Sequence, residues 1–337
     1  FITLFSTLFG AGIAMMVERS GGDTARHKRR MLWLLAIGAV HAYLIWWGDV
    51  LVSYALLGLI AVNLRNLPAR QLVLWGLVLI GASAVIMVGG AWAGVLLEGM
   101  TGSSEQDATL AGLVTAQTGA YQSGYINSLL WNIGFALMGQ IGGLMTIGPR
   151  LLGLMFIGMA LYKSGFLSAS WSTARYAMIA GGGVAAGLAI TAFGTVSMIE
   201  GEFGTTAIAI ASTTSYFGSL IQAMGYAAAV MLAARAGDKL LKPLVDLFAA
   251  TGRMAFTNYL AQSVIMTAIF VGPPGLGLFG TVERVGQFKL VLAVWAVQLI
   301  WSVLWLSVFR YGPMEWVWRS LTYGKRQPML KRTQSGA

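Results

Sequence analysis

The stretch QLVLWGLVLIGASAVIMVGGAWAGVLL, residues 71–97, carries no charged side chain. About 20 consecutive apolar residues already cross the hydrocarbon core of a bilayer as a helix. In lipid, every backbone N–H and C=O must be satisfied within the protein, which only helices and closed barrels achieve. A barrel shows segments of about 10 residues that alternate in polarity, whereas this run is continuous. Similar runs recur along all 337 residues, of which 57% are hydrophobic and only 10% charged. Soluble domains carry about 25% charged residues. The chain therefore reads as all-α, a polytopic transmembrane helix bundle forming a single domain over 1–337.

Lys and Arg collect in cytoplasmic loops of membrane proteins, and this bias orients the chain. The segment ERSGGDTARHKRR (18–30) holds five of them and is placed inside. Helix 1 (1–17) then runs inward, helix 2 (31–47) outward to Trp46 and Trp47 as an interfacial belt, helix 3 (50–64) inward to Arg65 and Arg70, and helix 4 (71–97) outward. Residues 98–124, without Lys or Arg, form an acidic outer loop. Residues 125–163 could cross twice, which would strand Arg235, Lys239, Lys242 and Arg253 outside. One crossing at 148–163 keeps them inside and leaves 125–146 as an interfacial or re-entrant segment. Helices at 173–195, 207–233, 252–271 and 288–309 follow, then a cytoplasmic tail over 310–337. On this count 19 of the 22 Lys and Arg lie inside, with Arg150, Arg284 and Lys289 outside. The result is about nine crossings in a bacterial inner membrane. The opening FITLFSTLFG is already apolar, so a helix upstream is expected, bringing the native count to about ten.

Composition also sets exclusions. There are no cysteines and only two histidines, so thiolate chemistry, disulfides and a metal centre are not expected. The net charge of +10 is accounted for by loop bias, without a nucleic-acid partner. Walker-type glycine loops and a G-x-S-x-G elbow are absent. The 44 glycines fall in clusters such as GGGVAAG (181–187), which let helices approach closely.

Against this background the polar residues within spans stand out. His41 lies in AVHAYLIWWGDVLVSYALLG (39–58). An ionisable group inside a span is a functional hypothesis by default, and imidazole titrates near neutral pH, as acid–base catalysis needs. The alternative is a neutral ring bonding a neighbouring helix. Asp49 lies eight residues on, about 12 Å along a continuous helix. It can reach His41 only if Gly48 breaks the helix and the chain folds back; it could also cap helix 3. In TGRMAFTNYLAQS (251–263), Asn258 and Gln262 share a helical face, as interhelical glue or as substrate ligands, with Arg253 at the cytoplasmic mouth. In RYGPMEWVWRSLTYG (310–324), Arg310, Arg319 and the following Lys325 suit either a membrane-surface anchor or an anion site for a phosphorylated donor.

Three blocks, FITLFSTLFGAGIAMMVER (1–19), GAVHAYLIWWGDVLVSYALLGL (38–59) and GRMAFTNYLAQS with GLGLFG and WSVLWLSVFRYGPMEWVWRSLTYG (within 252–324), resemble the YeiB-like bacterial inner-membrane proteins, domain of unknown function 418. LLGLMFIGMALYKSGF (151–166) shares their general character. The resemblance implies a helix preceding this chain and kinship with membrane acyltransferases such as the heparan-alpha-glucosaminide N-acetyltransferase family. It further implies an acyl-CoA donor in the cytoplasm, a small-molecule or glycan acceptor on the far side, and an intramembrane histidine, His41, between them, oriented by Asp49. A transporter or lipid- or quinone-binding protein, and an assembly partner of a membrane complex, are the competing expectations. Membrane lipids are expected partners, and a homo-oligomer remains open.

Overall fold

Each long apolar run becomes a helix. The computed structural model describes residues 1–101, 104–236 and 242–331, with the side chains of 101, 104–110 and 236 set aside. In chain order the helices are α1 (Ile2–Arg19), α2 (Ala25–Leu44), α3 (Leu51–Ala61), α4 (Ala69–Thr101), α5 (Ser104–Ser123), α6 (Tyr125–Thr146), α7 (Gly148–Lys163), α8 (Thr173–Glu200), α9 (Thr205–Ala236), α10 (Lys242–Arg253), α11 (Ala255–Phe270), α12 (Arg284–Val308) and α13 (Pro313–Tyr323). Lys239 and the tail beyond 331, both used above to orient the chain, lie outside the described residues.

Among the described residues six helices are long and apolar enough to cross a membrane: α1, α4, α6, α8, α9 and α12; α11 and the stretch Leu51–Leu64, which contains α3, are apolar but shorter. The nine crossings read from the sequence include α2 and α7 and omit α6. Helix α2 opens on ARHKRR, and α7 has only 16 residues. Helix α6 is one unbroken helix of 22 residues. The acidic connection 98–124 is largely helical as well, because α4 continues to Thr101 and α5 covers Ser104–Ser123. Its Ala, Leu and Gln residues favour helix.

The outer surfaces of these helices suit lipid. On α4, Leu74, Val85 and Leu96 are 59%, 75% and 71% exposed. Apolar surface of that extent is not tolerated against water without a partner. The protein is a helical membrane protein with several spans.

The described chain forms two units. The first comprises 1–27, 53–107 and 141–237; the second comprises 28–52, 108–140 and 238–337. In the first, α1 and α7 approach so closely that a Cβ on Gly10 would strike the Met155 backbone, and one on Gly158 the Thr7 backbone. Without a hydrophobic gain between helices in lipid, such small-residue contacts let dispersion hold the helices together. Arg150, assigned from the sequence to the outer side, is buried in this unit. Its Nη2 donates to Thr3 Oγ1, Tyr216 O and Ser219 Oγ at 3.2, 3.1 and 2.8 Å, and its guanidinium lies 4.0 Å over the Tyr216 ring. Neutral acceptors and an aromatic face thus hold the cation. The second unit contains the site.

Candidate functional site

Helix α2 stops at Leu44, three residues short of the apolar pattern. The N–H groups of Ile45 and Trp46 both bond His41 O, at 3.0 and 2.9 Å, and the chain turns at Gly48, where a Cβ would meet the Trp46 ring. Gly38 permits the return: a side chain there would strike Leu51 and Val52. Asp49 therefore comes back beside α2. His41 Nδ1 and Asp49 Oδ1 lie 2.7 Å apart, with side chains 1% and 0% exposed. Asp49 Oδ2 also accepts the Val52 N–H at 2.9 Å, capping the first turn of α3. Fold-back and cap coexist.

A carboxylate only accepts, so Nδ1 is the donor, and in the neutral tautomer this leaves the lone pair on Nε2. That Nε2 is buried and has no hydrogen-bond partner among the described residues. Tyr259 of α11 packs its ring 5.1 Å from the imidazole. Its hydroxyl donates to Asp49 Oδ1 at 3.4 Å and accepts from Val50 N–H at 3.4 Å. Trp46 stands edge-on to the imidazole at 6.4 Å. Tyr259 and Trp46 also line a cavity of about 640 Å³ with Ile45, Gln262, Met266 and Phe270. His41 itself is not in the cavity wall. Trp46 and Trp47 lie on the turn, not at a helix end, and Trp47 packs on Phe135 at 5.8 Å.

Helix α6 completes the carbonyl accounting at this helix end. Tyr125 Oη donates to Leu44 O at 2.5 Å, and Asn132 Nδ2 to Ile45 O at 3.3 Å. The last carbonyls of a helix have no intrahelical partner, and α6 supplies donors to these two.

The two amides of α11 take different roles. Asn258 Nδ2 donates to Ser302 Oγ at 3.0 Å, Gln298 Nε2 to Asn258 O at 2.9 Å, and Gln262 Nε2 to Gln298 Oε1 at 2.6 Å. This ladder ties α11 to α12, and only its Gln262 end reaches the cavity. The partners Gln298 and Ser302 escaped the sequence reading, although they repeat the same four-residue spacing on α12. Tyr259 escaped it too; its single signal was its place beside Asn258.

The basic residues form a separate group around α13. The Arg319 guanidinium lies 4.9 Å over Tyr311 and 5.2 Å over Tyr323. Arg30 lies 4.1 Å over Trp318, whose Nε1 donates to Arg30 O at 2.8 Å. Arg29 Nη1 donates to Thr322 O at 3.4 Å. Burial, and then the charge of Arg319, push Arg30 at the polar end of α2 down to about 10, which leaves it charged at neutral pH. Arg253 Nη2 donates to Arg310 O at 3.2 Å, and Lys325 is exposed. The acid of α13, Glu315, is committed elsewhere: it accepts from the N–H groups of Phe256 and Thr257 at 2.8 and 3.0 Å and from Thr257 Oγ1 at 2.5 Å. It thereby caps α11 from another helix. Among the described residues no cluster of three His, Asp or Glu could hold a metal ion.

The family described as protein of unknown function DUF418 matches residues 161–325. The uncharacterised protein YeiB of Escherichia coli (strain K12) is 33% identical over 99% of this chain and 84% of its own length. The chain belongs to the DUF418 family. A second relative, the uncharacterised protein YxaH of Bacillus subtilis (strain 168), is 30% identical over 99% of this chain and 81% of its own. No solved structure matches. The DUF418 match runs from the end of α7 through α13, and so holds the ladder, the Glu315 cap and Arg319, but not Arg29 or Arg30. The His41–Asp49 turn lies upstream of it and within the full-length matches.

Proposed function

We propose that the protein is a transmembrane acyltransferase in which His41, held by Asp49, is the general base. The observation that carries this reading is the buried 2.7 Å pair, which fixes the tautomer and points an unpartnered basic nitrogen into the interior. The acceptor hydroxyl or amine gives its proton to Nε2 as its oxygen or nitrogen attacks the thioester carbonyl. The C–S bond breaks, and the leaving thiolate takes the proton back from His41. Because Trp46 and Tyr259 neighbour both the imidazole and the cavity, one of these rings must turn aside for the acceptor to reach Nε2.

The donor is acyl-CoA. Its phosphates suit Arg29, Arg30 and Arg319, the last two set over aromatic rings. Twelve residues of α2 separate Arg29 from His41, about 18 Å of rise, and the pantetheine arm is the part of coenzyme A that would span it. The Lys and Arg bias and the bacterial relatives support a bacterial inner membrane with the C-terminus in the cytoplasm.

The test uses the lack of cysteine: a thiol reagent reads released coenzyme A without background from the protein. Purified protein in nanodiscs, given acetyl-CoA with glucosamine or a long-chain alcohol, should release thiol, and His41→Ala should abolish release while keeping its helix content. Undiminished turnover in that variant removes the mechanism. Lipid binding or transport without catalysis is a second reading, supported by the mainly apolar cavity. Solute flux in proteoliposomes lacking any donor would favour it.

A further inference from the structure

The cavity wall is mainly apolar, with a polar cluster where α11 begins. Its α11 wall is formed by Tyr259, Gln262, Ser263, Met266, Thr267 and Phe270, positions that recur every three or four residues and so share one face. Tyr259, Gln262 and Ser263 come first, with the Tyr259 hydroxyl 3.4 Å from Asp49 Oδ1. Met266 and Phe270 come last, with Thr267 the polar member between them, and Phe270 stands about 16 Å beyond Tyr259 along the helix. Phe279, from the segment after α11, also lines the cavity. Its volume falls within the range of about 300–1,000 Å³ typical of small-molecule sites. We infer that this cavity holds one long aliphatic chain, with its polar, reactive end at Tyr259, Gln262 and Ser263 and its tail along Met266, Phe270 and Phe279.

Lipid tails are as apolar as leucine, so moving the chain from bilayer to cavity gains little. Selection therefore rests on the polar end and on length. The identity of that end as the reacting group rests on the transferase reading; occupancy by a chain does not. The same chemistry has two sources: the acyl tail of a donor thioester, or the tail of an acceptor alcohol.

The full chain in nanodiscs is irradiated with diazirine-tagged tetradecanoyl-CoA or, separately, with diazirine-tagged tetradecanol, and the labelled peptides are mapped. Saturable label on Met266, Phe270 or Phe279, displaced by unlabelled chain, is the expected result. Ser263→Trp should lower it by about tenfold, equivalent to about 1.4 kcal/mol; Met266→Phe, a milder filling, should lower it less. His41→Ala should retain the label. Label with the thioester alone assigns the donor tail; label with the alcohol alone assigns the acceptor. Non-saturable label confined to lipid-facing positions such as Val85 and Leu96 would overturn the inference. Should wild type release no coenzyme A yet keep the saturable label, the transferase reading fails and the chain site stands.

Discussion

Replacing Asp49 is the most informative single perturbation, because both its oxygens are committed. Oδ1 accepts from His41 Nδ1 and Tyr259 Oη, and Oδ2 accepts from Val52 N–H. Asp49→Ala removes a helix cap worth about 1 kcal/mol and a hydrogen bond to a charged group worth about 1.5–3 kcal/mol. Together these give an expected loss of about 2.5–4 kcal/mol. Asp49→Asn cannot match the carboxylate, although Asn caps as well as Asp. Its amide has one acceptor, so one of the two donors, His41 or Val52, faces an NH₂ group. One buried donor left unpaired costs about 1–3 kcal/mol. The order Ala, then Asn, then wild type is the prediction. Reversible unfolding in mixed micelles by SDS titration, followed by circular dichroism, measures it. A cycle adding His41→Ala should give a coupling of about 1–3 kcal/mol. A loss below about 1 kcal/mol for Asp49→Ala, or a coupling near zero, would show that the pair does not hold the turn.

Other sites make separate demands. Arg150→Ala should destabilise strongly, since it empties a buried site, whereas Arg150→Met should be near neutral, because apolar replacement of a buried charge often is; the same titration separates them. Gly158→Leu would drive a side chain into the Thr7 backbone, and overpacking of this kind costs about 1–3 kcal/mol. Glu315→Gln should cost about 1 kcal/mol by weakening the cap on Phe256 and Thr257. It should also loosen α13, read as faster proteolysis around residue 310. Arg319→Ala should raise the apparent KM for acyl-CoA with little change in kcat if the basic group holds the phosphates, and should leave both unchanged if it only anchors lipid.

Much of the fold was legible because a bilayer permits few solutions. The run 71–97 is a helix since nothing else satisfies its backbone in lipid, and α4 is that helix. Legibility failed at helix ends. Helix α2 was carried through to Trp47, because Ile45, Trp46 and Trp47 are as apolar as what precedes them; periodicity gives no stop signal there. Segment 125–146 reads as interfacial from the charge count across the whole chain, and its length and composition also allow a crossing. Within the site, Asn258 and Gln262 were visible as polar residues that must point inward, but their partners were not.

The residues themselves determined that the chain is a helical membrane protein and that His41, Asp49, Asn258 and Gln262 must be satisfied internally, since these follow from composition and the cost of burying polar groups. Only the tertiary structure decided who satisfies whom. Asp49 reaches His41 because α2 ends early and Gly38 lets α3 return against it. Tyr259, 210 positions beyond Asp49, completes the pair, and Glu315 rather than a local residue caps α11. Such meetings depend on how helices pack, and helical periodicity within each segment carries no record of its neighbours.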